Sequence, residues 1–300
     1  MLAWPCDVVI VNYNAGDHLL ACIGLALAEG AASVIVVDNA SEDSSMDRLV
    51  SAYGDHPAVR AIFNESNLGF ATACNIGFDA GQQPLVLFLN PDAFLLSGSL
   101  GRMADVLLSS KTAGMAGGYL SYPDGTEQPG GRRVIPTPWR GLLRTSGLSR
   151  LEGRWPRLFA SGQLHLAPLP KQPVEVEAIS GACMLIKRPL LNEVGLWDEA
   201  YFLHCEDLDL AVRFRQRGWK ILFIPDAPVV HLHGACSANR RLFVEWHKHR
   251  GMLRFYRKFF SQYPASLRGL INMGIGVRFI MVAGRYGLKR LGIRLGVCRE

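Results

Sequence analysis

Residues 7–38 read DVVIVNYNAGDHLLACIGLALAEGAASVIVVD. Two short apolar runs in them, Val8–Val11 and Val34–Val37, are rich in β-branched residues, and each ends at polar residues. Runs of this kind predict buried parallel strands. The residues between them, Asp17–Glu29, are long enough for a helix, so the segment predicts a β-α-β unit.

The same alternation continues to residue 90. We predict strands over Val59–Phe63 and Leu85–Leu89, and helices over Glu42–Tyr53 and Gly69–Ala80. The short oxygen-bearing side chains of residues 39–44 provide an N-cap signal for the first of these helices. The predicted fold class is therefore α/β, with a doubly wound, mostly parallel sheet flanked by helices and with ligands beyond the carboxyl ends of the strands.

The pattern after residue 90 predicts further elements around one long irregular segment. These elements are helices over Leu95–Ser109 and Glu206–Arg217, the second closed by Gly218, and strands over Gly114–Tyr122, Val174–Ile179, Gly181–Ile186 and Trp219–Ile224. Residues 123–173 are rich in Pro, Gly, Arg and Trp without a clear period, which is unusual in a compact domain unless the segment is functional. We interpret this segment as a mobile acceptor-side loop.

Composition indicates a folded protein with a basic C-terminal tail. The 300 residues are 49% hydrophobic and 19% charged, which excludes a disordered chain. Residues 238–300 contain 14 Lys and Arg against two Glu, whereas residues 1–237 contain 18 bases and 24 acids. We therefore predict a main domain over residues 1–237, which includes the segment 123–173, and a basic amphipathic helical tail over residues 238–300.

Cysteine usage and targeting signals predict a cytoplasmic chain. The seven cysteines are odd in number, scattered and never arranged as CxxC, which predicts reduced, buried thiols rather than disulfides or a zinc knuckle. Residues 1–7 have no basic residue ahead of an apolar stretch, so we expect no secretory signal. Arg278 interrupts the apolar stretch Leu270–Gly284, so we expect no membrane-spanning helix.

Polar side chains follow the first two predicted strands. Asn12, Tyr13 and Asn14 come after one of them, and Asp38 comes after the other. Both groups would face one crevice, where a carboxylate can accept a hydrogen bond from a pyrimidine imide N–H or a ribose hydroxyl. A simple capping role for Asp38 at the next helix is at least as well supported by the residues alone.

Asn90, Pro91 and Asp92 come directly after the strand Leu85–Leu89. A carboxylate there can bind a divalent cation that also takes diphosphate oxygens, although an ordinary Pro-Asp turn has the same sequence. Neither GxGxxG nor GxxxxGK[ST] occurs, so neither a dinucleotide-binding fold nor a P-loop NTPase is indicated.

An acidic cluster and a histidine pair complete the candidate residues. Glu206, Asp207 and Asp209 begin an amphipathic helix, where the helix dipole favours acids and where one carboxylate could also serve as a general base. His231 and His233 alternate along an extended strand and would lie on one face. A ligand role for at least one of them, toward a metal or a phosphate, and an ordinary polar role are equally well supported.

In order along the chain, these motifs resemble the motif series of family-2 glycosyltransferases of the GT-A fold, and most closely their rhamnosyltransferase-like branch. The motifs that carry the resemblance are Val9–Asn14, Val36–Ser41, Asn67–Phe70 with Asn75–Gly77, Leu89–Ala93, Phe202–Arg213 and Val230–Gly234. The likeness covers residues 7–237 and leaves out the segment 123–173 and the tail.

The resemblance implies a site for a nucleotide-diphosphate sugar. Asn12 and Tyr13 would line the nucleotide pocket, Asp38 would hold the base, and Asn67 and Gly69 would approach the ribose and the diphosphate. The other residues that it implies at this site are Asn14, Asn39, Asn75, Asn90 and Arg213.

The resemblance also implies a cation, Mg²⁺ or Mn²⁺, and a catalytic base. Asp92 would be the metal-binding acid of an Asp-X-Asp motif, and His231 would complete the shell. This sequence departs from the motif because Asn90 stands at the first acidic position, which leaves one carboxylate fewer for the metal. Asp207 matches the family's catalytic base, with Glu206 beside it as a supporting or acceptor-positioning acid.

The implied activity is inverting transfer of a sugar, with rhamnose suggested by the resemblance. The donor would be a dTDP- or UDP-sugar, and the acceptor a hydroxyl of a glycan or a polyprenyl-linked glycan used in cell-surface polysaccharide assembly. A sugar-nucleotidyltransferase is one alternative, but it would need a Gly-rich basic N-terminal loop, and residues 1–20 contain no Lys or Arg. The other alternative is a non-catalytic membrane-associated scaffold, which the charge of the tail alone does not exclude.

The tail interleaves apolar and basic residues. For residues 243–260, packing on the main domain and a surface role are equally well supported. Residues 270–299 contain six Lys and Arg and no acid, which favours a helix at the interface of an anionic membrane over a nucleic-acid partner. We therefore expect a cytoplasmic protein that associates peripherally with the inner face of the cell membrane.

Overall fold

The computed structural model describes residues 3–294 except 147, 156–157, 159–161, 233 and 235–239. The first elements are β1 (Trp4–Asn12), α1 (His18–Ala28), β2 (Ala31–Asp38), α2 (Ser45–Tyr53), β3 (Val59–Phe63), α3 (Phe70–Ala80) and β4 (Leu85–Leu89). Each lies within four residues of its predicted bounds. The predicted alternation of strands and helices over the first 90 residues is therefore confirmed.

The middle of the chain adds further strands and helices. They are β5 (Ala93–Leu95), α4 (Ser99–Ser109), β6 (Ala113–Ser121), β7 (Arg132–Arg133), α5 (Pro138–Ser146), β8 (Val174–Val176), β9 (Ala178–Ile179), β10 (Cys183–Lys187), α6 (Arg188–Val194), α7 (Glu206–Gln216) and β11 (Lys220–His231). Three predicted bounds are wrong. The predicted strand Val174–Ile179 is divided into β8 and β9, which pair with β11 and β7 in different sheets. α4 begins only after β5 and a turn with Gly98 at φ 82°, and β11 continues past Ile224 because an irregularity in its register accommodates the prolines there.

Among the described residues, nine strands form one sheet in the order β3-β2-β1-β4-β10-β6-β11-β5, with β8 paired to β11. β3, β2, β1 and β4 are mutually parallel, β10 runs antiparallel to β4 and β6, and β11 is parallel to β6. The predicted mostly parallel α/β sheet is confirmed. Asn12 lies opposite Asp38, and β4 ends beside them, so the candidate motifs meet at one edge of the sheet.

Both faces of the sheet are covered, which explains the continuous apolar runs. Val8 and Ile10 of β1 pack into one hydrophobic core with α1 and α4, whereas Val9 and Val11 pack into a second core with α3 and α7. Successive side chains of a strand point to opposite faces, so a strand buried on both faces needs apolar residues at every position.

Residues 123–173 are not irregular throughout, so that prediction is wrong. A backbone hydrogen bond from Gly125 to Tyr122 closes a turn, β7 pairs with β9 in a second small sheet, and α5 is followed by short 3₁₀ helices at Leu148–Leu151 and Leu164–Leu166. These elements lack a visible period because they are short and because β7 finds its partner about 45 residues away.

The tail forms two helices, α8 (Arg241–Phe259) and α9 (Ala265–Arg294). α8 packs on the main domain, since Phe255 is buried and Arg254 and Lys258 both contact Asp198, at 2.9 and 2.7 Å. In α9, Ala265–Gly287 is long and apolar enough to cross a membrane by length and composition alone. This differs from the expectation drawn from Arg278, because the span stays apolar overall even with Arg268, Arg278 and Arg285 in it.

The described cysteines agree with the prediction of buried thiols. Cys6, Cys22, Cys74, Cys183 and Cys205 are buried, and none of them forms a disulfide. Cys236 and Cys298 lie outside the described residues.

Candidate active site

A buried hydrogen-bond cluster joins the carboxyl ends of β1 and β2. Asn12 Nδ2 donates to Asp38 Oδ1 at 2.8 Å. The Ser41 hydroxyl and backbone N–H donate to the two oxygens of Asp38 at 2.6 and 3.0 Å. The capping contact considered from the sequence is therefore present, and it leaves Asp38 Oδ2 with capacity for another donor. Asn12 Oδ1 is buried without a hydrogen-bond partner among the described residues.

The loop after β1 is held by the loop after β2 and covered by the start of the tail. Asn14, at φ 54°, accepts the backbone N–H groups of Glu42 and Asp43 at 2.7 and 3.2 Å. The Arg240 guanidinium donates to the Tyr13 hydroxyl and lies 5.1 Å from the centre of its ring. Asn14 thus shapes the loop, while Tyr13 lies at its surface with a cation over it.

A second set of contacts connects the end of β2 to the turn before the acidic helix. Asn39 Nδ2 donates to the Gly69 carbonyl at 3.1 Å, and the Gly69 N–H donates to Asn67 Oδ1 at 3.0 Å. The backbone approaches Phe202 so closely that a Cβ on Gly69 would lie 2.7 Å from the Phe202 carbonyl oxygen, and Gly69 has φ +87°. Glycine is therefore required at this position.

Two predicted site residues are engaged elsewhere. Asn75 exchanges two hydrogen bonds of 3.0 Å with the backbone of Trp197. Arg213 uses four of its five N–H groups, one to Asp209 at 2.6 Å and three to carbonyls of residues 194–196. These contacts favour a structural role for both residues, holding the turn before α7, over the predicted contact with a sugar nucleotide.

Asp92 and His231 come together at the ends of β4 and β11. His231 Nε2 lies 3.3 Å from Asp92 Oδ1 and 3.4 Å from Asn90 Nδ2. Gln128 Nε2 donates to the carbonyls of Ser121 and His231, so its Oε1 faces His231 Nδ1 at 2.8 Å. An acceptor at that distance favours a proton on Nδ1, so Nε2 is the ring nitrogen that is directed toward Asp92.

The donors at this position are one carboxylate, one imidazole and an amide. Within the described part of the chain, no third His, Cys, Asp or Glu joins Asp92 and His231. The sequence predicted that His233 would share the face of His231, but His233 lies outside the described residues. A bound cation would therefore keep several positions for water or for a substrate phosphate.

The acidic cluster at the start of α7 is approached through a strained turn. His204 and Cys205 have φ of 69° and 73°, a region that non-glycine residues rarely occupy and that often marks functional sites. Asp209 is completely buried, and Arg213 and Lys258 neutralise it at 2.6 and 2.7 Å. Glu206 and Asp207 are therefore the acids of this cluster that remain for chemistry.

Asp207 is held by three donors. Arg133 forms an ion pair with its Oδ2, the Gly181 N–H donates to the same oxygen at 3.1 Å, and the Leu208 N–H donates to Oδ1 at 2.7 Å. Burial raises the pKa of Asp207, but the charge and the hydrogen bond of Arg133 outweigh burial, so the pKa lies below its ordinary value. Asp207 is thus ionised at neutral pH, and Oδ1 can still accept a hydroxyl proton.

Glu206 has the opposite environment. Its Oε2 is buried without a hydrogen-bond partner among the described residues. Burial and the neighbouring charge of Asp207 raise the pKa of Glu206 to about 8. Adjacent carboxyl groups whose pKa values are driven apart divide the roles, and the ionised one, Asp207, is the candidate base.

One turn connects the candidate base to the candidate metal ligands. Its Gly181 N–H binds Asp207, and the carbonyl of the next residue, Ala182, accepts the Asn90 N–H at 2.9 Å. Gly181 and Ala182 are consecutive residues, whose Cα atoms are about 3.8 Å apart, so Asp207 and Asn90 bind the same short stretch of backbone. The fold thus brings together residues that are more than 100 positions apart in the chain.

The sequence did not identify Gln128 and Arg133, which both lie in the segment 123–173. The available signals were weak: Pro123-Asp124-Gly125 predicts a turn, and Arg132-Arg133 is a basic pair in an otherwise acidic domain. Neither signal indicates which distant residue the side chains contact.

Solved glycosyltransferase structures share this architecture. The mannosyltransferase PcManGT from Pyrobaculum calidifontis, in complex with GDP-Man and Mn²⁺, has a TM-score of 0.59 at 15% identity, covering 100% of this chain and 82% of that chain. GalNAc-T7, with UDP, GalNAc and Mn²⁺, has a TM-score of 0.57 at 18% identity, covering 77% of this chain and 44% of that chain. At such identities the likeness shows the fold alone, and that fold is GT-A.

Sequence comparison defines the family. The family described as "Glycosyltransferase like family 2" matches residues 5–243, so the chain belongs to glycosyltransferase family 2 and is a glycosyltransferase. Among its relatives is the N-acetylglucosaminyl-diphospho-decaprenol L-rhamnosyltransferase of Mycobacterium tuberculosis, which is 34% identical over 250 residues, covering 78% of this chain and 77% of the relative. The resemblance drawn from the motifs is therefore confirmed.

Proposed function

We propose that this glycosyltransferase moves a sugar, rhamnose in the first instance, from a dTDP- or UDP-linked donor to a hydroxyl of a polyprenyl-linked glycan. The observation that carries the proposal is the turn 180–182, which places an ionised Asp207 next to the Asn90–Asp92 motif. The choice of sugar and acceptor is supported by the decaprenol-linked rhamnosyltransferase relative.

The chemistry follows from the position of Asp207. An acceptor hydroxyl is a poor nucleophile, and Asp207 takes its proton as the oxygen attacks the anomeric carbon. The bond from that carbon to the diphosphate oxygen breaks on the opposite face, so one displacement inverts the configuration. Arg133 and the Gly181 N–H hold Asp207 in one orientation, which contributes positioning rather than proton transfer.

A divalent cation, Mn²⁺ or Mg²⁺, fits Asp92 and His231. The fit rests on Gln128, which holds His231 with Nε2 directed toward the Asp92 carboxylate. Asn90 Nδ2 faces His231 Nε2 at 3.4 Å in this structure, so Asn90 would supply a neutral oxygen in place of a second carboxylate only after its side-chain amide turns over. The imidazole favours Mn²⁺ over Mg²⁺, which prefers oxygen ligands. When bound, the cation would neutralise charge that develops on the departing diphosphate.

The nucleotide would lie at the ends of β1 and β2. Asp38 can accept the imide N–H of thymine or uracil through Oδ2. Asn12 Oδ1, which has no hydrogen-bond partner among the described residues, offers a second acceptor close to Asp38. Tyr13 offers a ring face to the base, on a loop that Asn14 shapes. Asn39, Asn67 and Gly69 would line the path toward the diphosphate.

The first experiment is a panel of sugar nucleotides incubated with the purified chain, with and without a polyprenyl-diphosphate-linked acceptor. We expect release of nucleoside diphosphate with dTDP-rhamnose, strongly accelerated by the acceptor. Asp207→Asn keeps the shape of the side chain and removes its basicity, so turnover should fall about 10²- to 10⁴-fold while donor affinity is retained.

Asp226→Asn is the matched control, because Asp226 is an exposed acid that pairs only with the surface residue Arg102 in the described structure. We expect this variant to keep full activity. A loss of less than tenfold for Asp207→Asn in single-turnover assays would assign the base elsewhere. Absence of turnover with every sugar nucleotide would leave the scaffold alternative in place.

The domain boundary and the location of the chain belong to the same proposal. The main domain extends over residues 1–237, and the tail over residues 238–300 holds it at an anionic membrane on the cytoplasmic side. Support comes from α9, which exposes Leu270, Met273 and Ile280 and carries no acid among its residues.

A further inference from the structure

A second exposed apolar surface lies outside the tail, in residues 138–169, which we call the insert. Eight large apolar side chains of the insert are exposed, with exposed fractions between 37% and 72%: Trp139, Leu142, Leu148, Leu151, Trp155, Leu158, Leu166 and Leu169. Single exposed leucines are ordinary, but six leucines and two tryptophans exposed within 31 residues mark a surface that contacts something apolar.

The insert is attached firmly to the active-site region. Arg140 pairs with Glu177 through two hydrogen bonds of 2.7 and 2.9 Å, and Glu177 also accepts the Ile135 N–H at 2.8 Å. Leu143, on the inner face of α5, is completely buried. β7, which carries the Arg133 contact to Asp207, ends only five residues before α5 begins. The exposed side chains of α5 therefore lie on a helix that is anchored close to the catalytic base.

Described residues of the insert also contact one another and adjoin the tail. Trp139 Nε1 donates to the Leu158 carbonyl at 2.8 Å, so the polar atom of the indole is satisfied inside the insert while half of the residue stays exposed. A Cβ on Gly141 would lie 3.5 Å from the hydroxyl of Tyr256 in α8. Tyr256, together with Arg257 and Arg268, lines a cavity of about 350 Å³ between α8 and α9.

Charge indicates what covers this surface. The insert contains five bases, Arg140, Arg144, Arg150, Arg154 and Arg157, against one acid, Glu152. Arg140 is paired with Glu177, so the other four supply the positive charge of this surface. Apolar side chains, tryptophans and cations with almost no acids are the combination that suits the boundary between lipid head groups and acyl chains of an anionic membrane. A second protein surface would more often require a mixture of both charges.

We propose that the insert is a second membrane contact, in which its exposed leucines and tryptophans enter the surface of an anionic bilayer beside the tail. The membrane would then hold the chain at two points, one of them directly connected to Asp207 through β7. Such a contact would bring the active site to a lipid-linked acceptor, and this reason rests on the proposed function. The evidence for the surface itself is independent of the proposed function.

The test uses the full chain and vesicles of phosphatidylglycerol with phosphatidylcholine, without donor or acceptor. The insert variant is Leu142→Gln with Leu166→Gln and Leu169→Gln, and the matched control is Val50→Gln with Phe63→Gln and Leu108→Gln. All six side chains are at least 45% exposed, so neither variant removes a buried contact. We expect co-sedimentation to weaken at least about tenfold for the insert variant and to stay unchanged for the control.

Brominated lipids provide a second measurement in the same vesicles. Quenching of tryptophan fluorescence should decrease in Trp139→Phe and Trp155→Phe, because those rings would lie at the bilayer surface. Equal binding of the insert variant and the wild type, or binding of the chain that ignores lipid charge and salt, would overturn the proposal. Concentration-dependent dimerisation without lipid that the insert variant abolishes would also overturn it, in favour of a second copy of the chain.

Turnover with a water-soluble acceptor is measured separately on the same variants. Vesicle binding without turnover would contradict the proposed function alone. Normal turnover without any loss of vesicle binding in the insert variant would contradict the membrane contact alone.

Discussion

Replacing Arg133 by glutamine tests whether this residue sets the charge of the catalytic base. Arg133 supplies the cation that outweighs burial at Asp207, and the ion pair is mostly shielded from water, with side-chain exposures of 26% and 13%. In Arg133→Gln the carboxylate keeps the Gly181 and Leu208 N–H groups but loses its counter-charge. We therefore expect the pKa of Asp207 to rise and the acidic limb of the pH–rate profile to move to higher pH.

The same substitution has a predictable effect on stability. Removing one partner of a fully buried ion pair costs about 3–5 kcal/mol. Because Arg133 is partly exposed and two backbone donors remain, we expect the free energy of unfolding to fall by about 2 kcal/mol at pH 7. For 300 residues, whose entropy of unfolding is about 0.6 kcal/mol/K, that corresponds to a decrease in Tm of about 3 °C.

The sign of the pH dependence provides an internal check. The folded-state pKa of Asp207 is lowered, so its contribution to stability is present above the unfolded-state pKa and is lost as the pH falls through the folded-state value. The stability difference between wild type and Arg133→Gln should therefore be largest at neutral pH and shrink on acidification. Thermal unfolding and kcat/KM for nucleoside diphosphate release give the two profiles, and both are measured from pH 8 down to about pH 3, because the lowered pKa of Asp207 puts the wild-type transition below its ordinary range.

Two variants act as controls for this prediction. Arg133→Lys keeps the positive charge and should keep the acidic limb close to its wild-type position. Arg102→Gln breaks an exposed ion pair with Asp226 and should change neither profile. An unchanged acidic limb in a folded Arg133→Gln protein would refute the idea that Arg133 holds Asp207 ionised.

Three other changes have definite expected outcomes. Asp92→Ala should weaken nucleoside diphosphate binding in the presence of Mn²⁺ and have little effect on it in excess chelator. Calorimetry with and without Mn²⁺ measures this binding. Full wild-type activity in excess chelator would show that no cation is needed. Gln128→Leu removes the acceptor that orients His231 and should lower Mn²⁺ affinity about 10- to 100-fold at unchanged fold, as judged by circular dichroism. The raised pKa of Glu206 makes its burial favourable only while it is protonated, so the free energy of unfolding of the wild type should decrease as pH rises from about 4.5 toward 8. Glu206→Gln cannot ionise and should not show this decrease. Urea unfolding at pH 5 and pH 8 tests this, and an identical pH dependence in both proteins would contradict it.

The sequence alone determined the sheet and the position of its polar ends. Val8–Val11, Val34–Val37 and Leu85–Leu89 are local apolar runs, and their burial on both faces follows from composition without knowledge of any distant partner. Asn12, Asp38 and Asp92 then meet because parallel strands end at the same edge of a sheet. The acidic start of α7 was equally visible, because helix signals are local.

Only the tertiary structure decided how these groups are protonated and oriented. Glu206 and Asp207 are neighbours with similar side chains, yet the pKa of Glu206 rises and that of Asp207 falls. Burial dominates at Glu206, whereas Arg133 and the Gly181 N–H bind Asp207 directly. Those partners lie 74 and 26 residues away. Electrostatic interactions depend on distance in space and on burial, and neither quantity is encoded in the local periodicity from which elements are predicted.

The same reason explains the segment 123–173, whose interpretation as an irregular loop was wrong. Gln128 orients a histidine 103 residues away, and β7 pairs with a strand about 45 residues away. Two-residue strands and single side-chain contacts leave no period in the sequence. Their role becomes visible only when folding brings the segment against β9, β11 and α7, where it contacts both the candidate metal ligand and the candidate base.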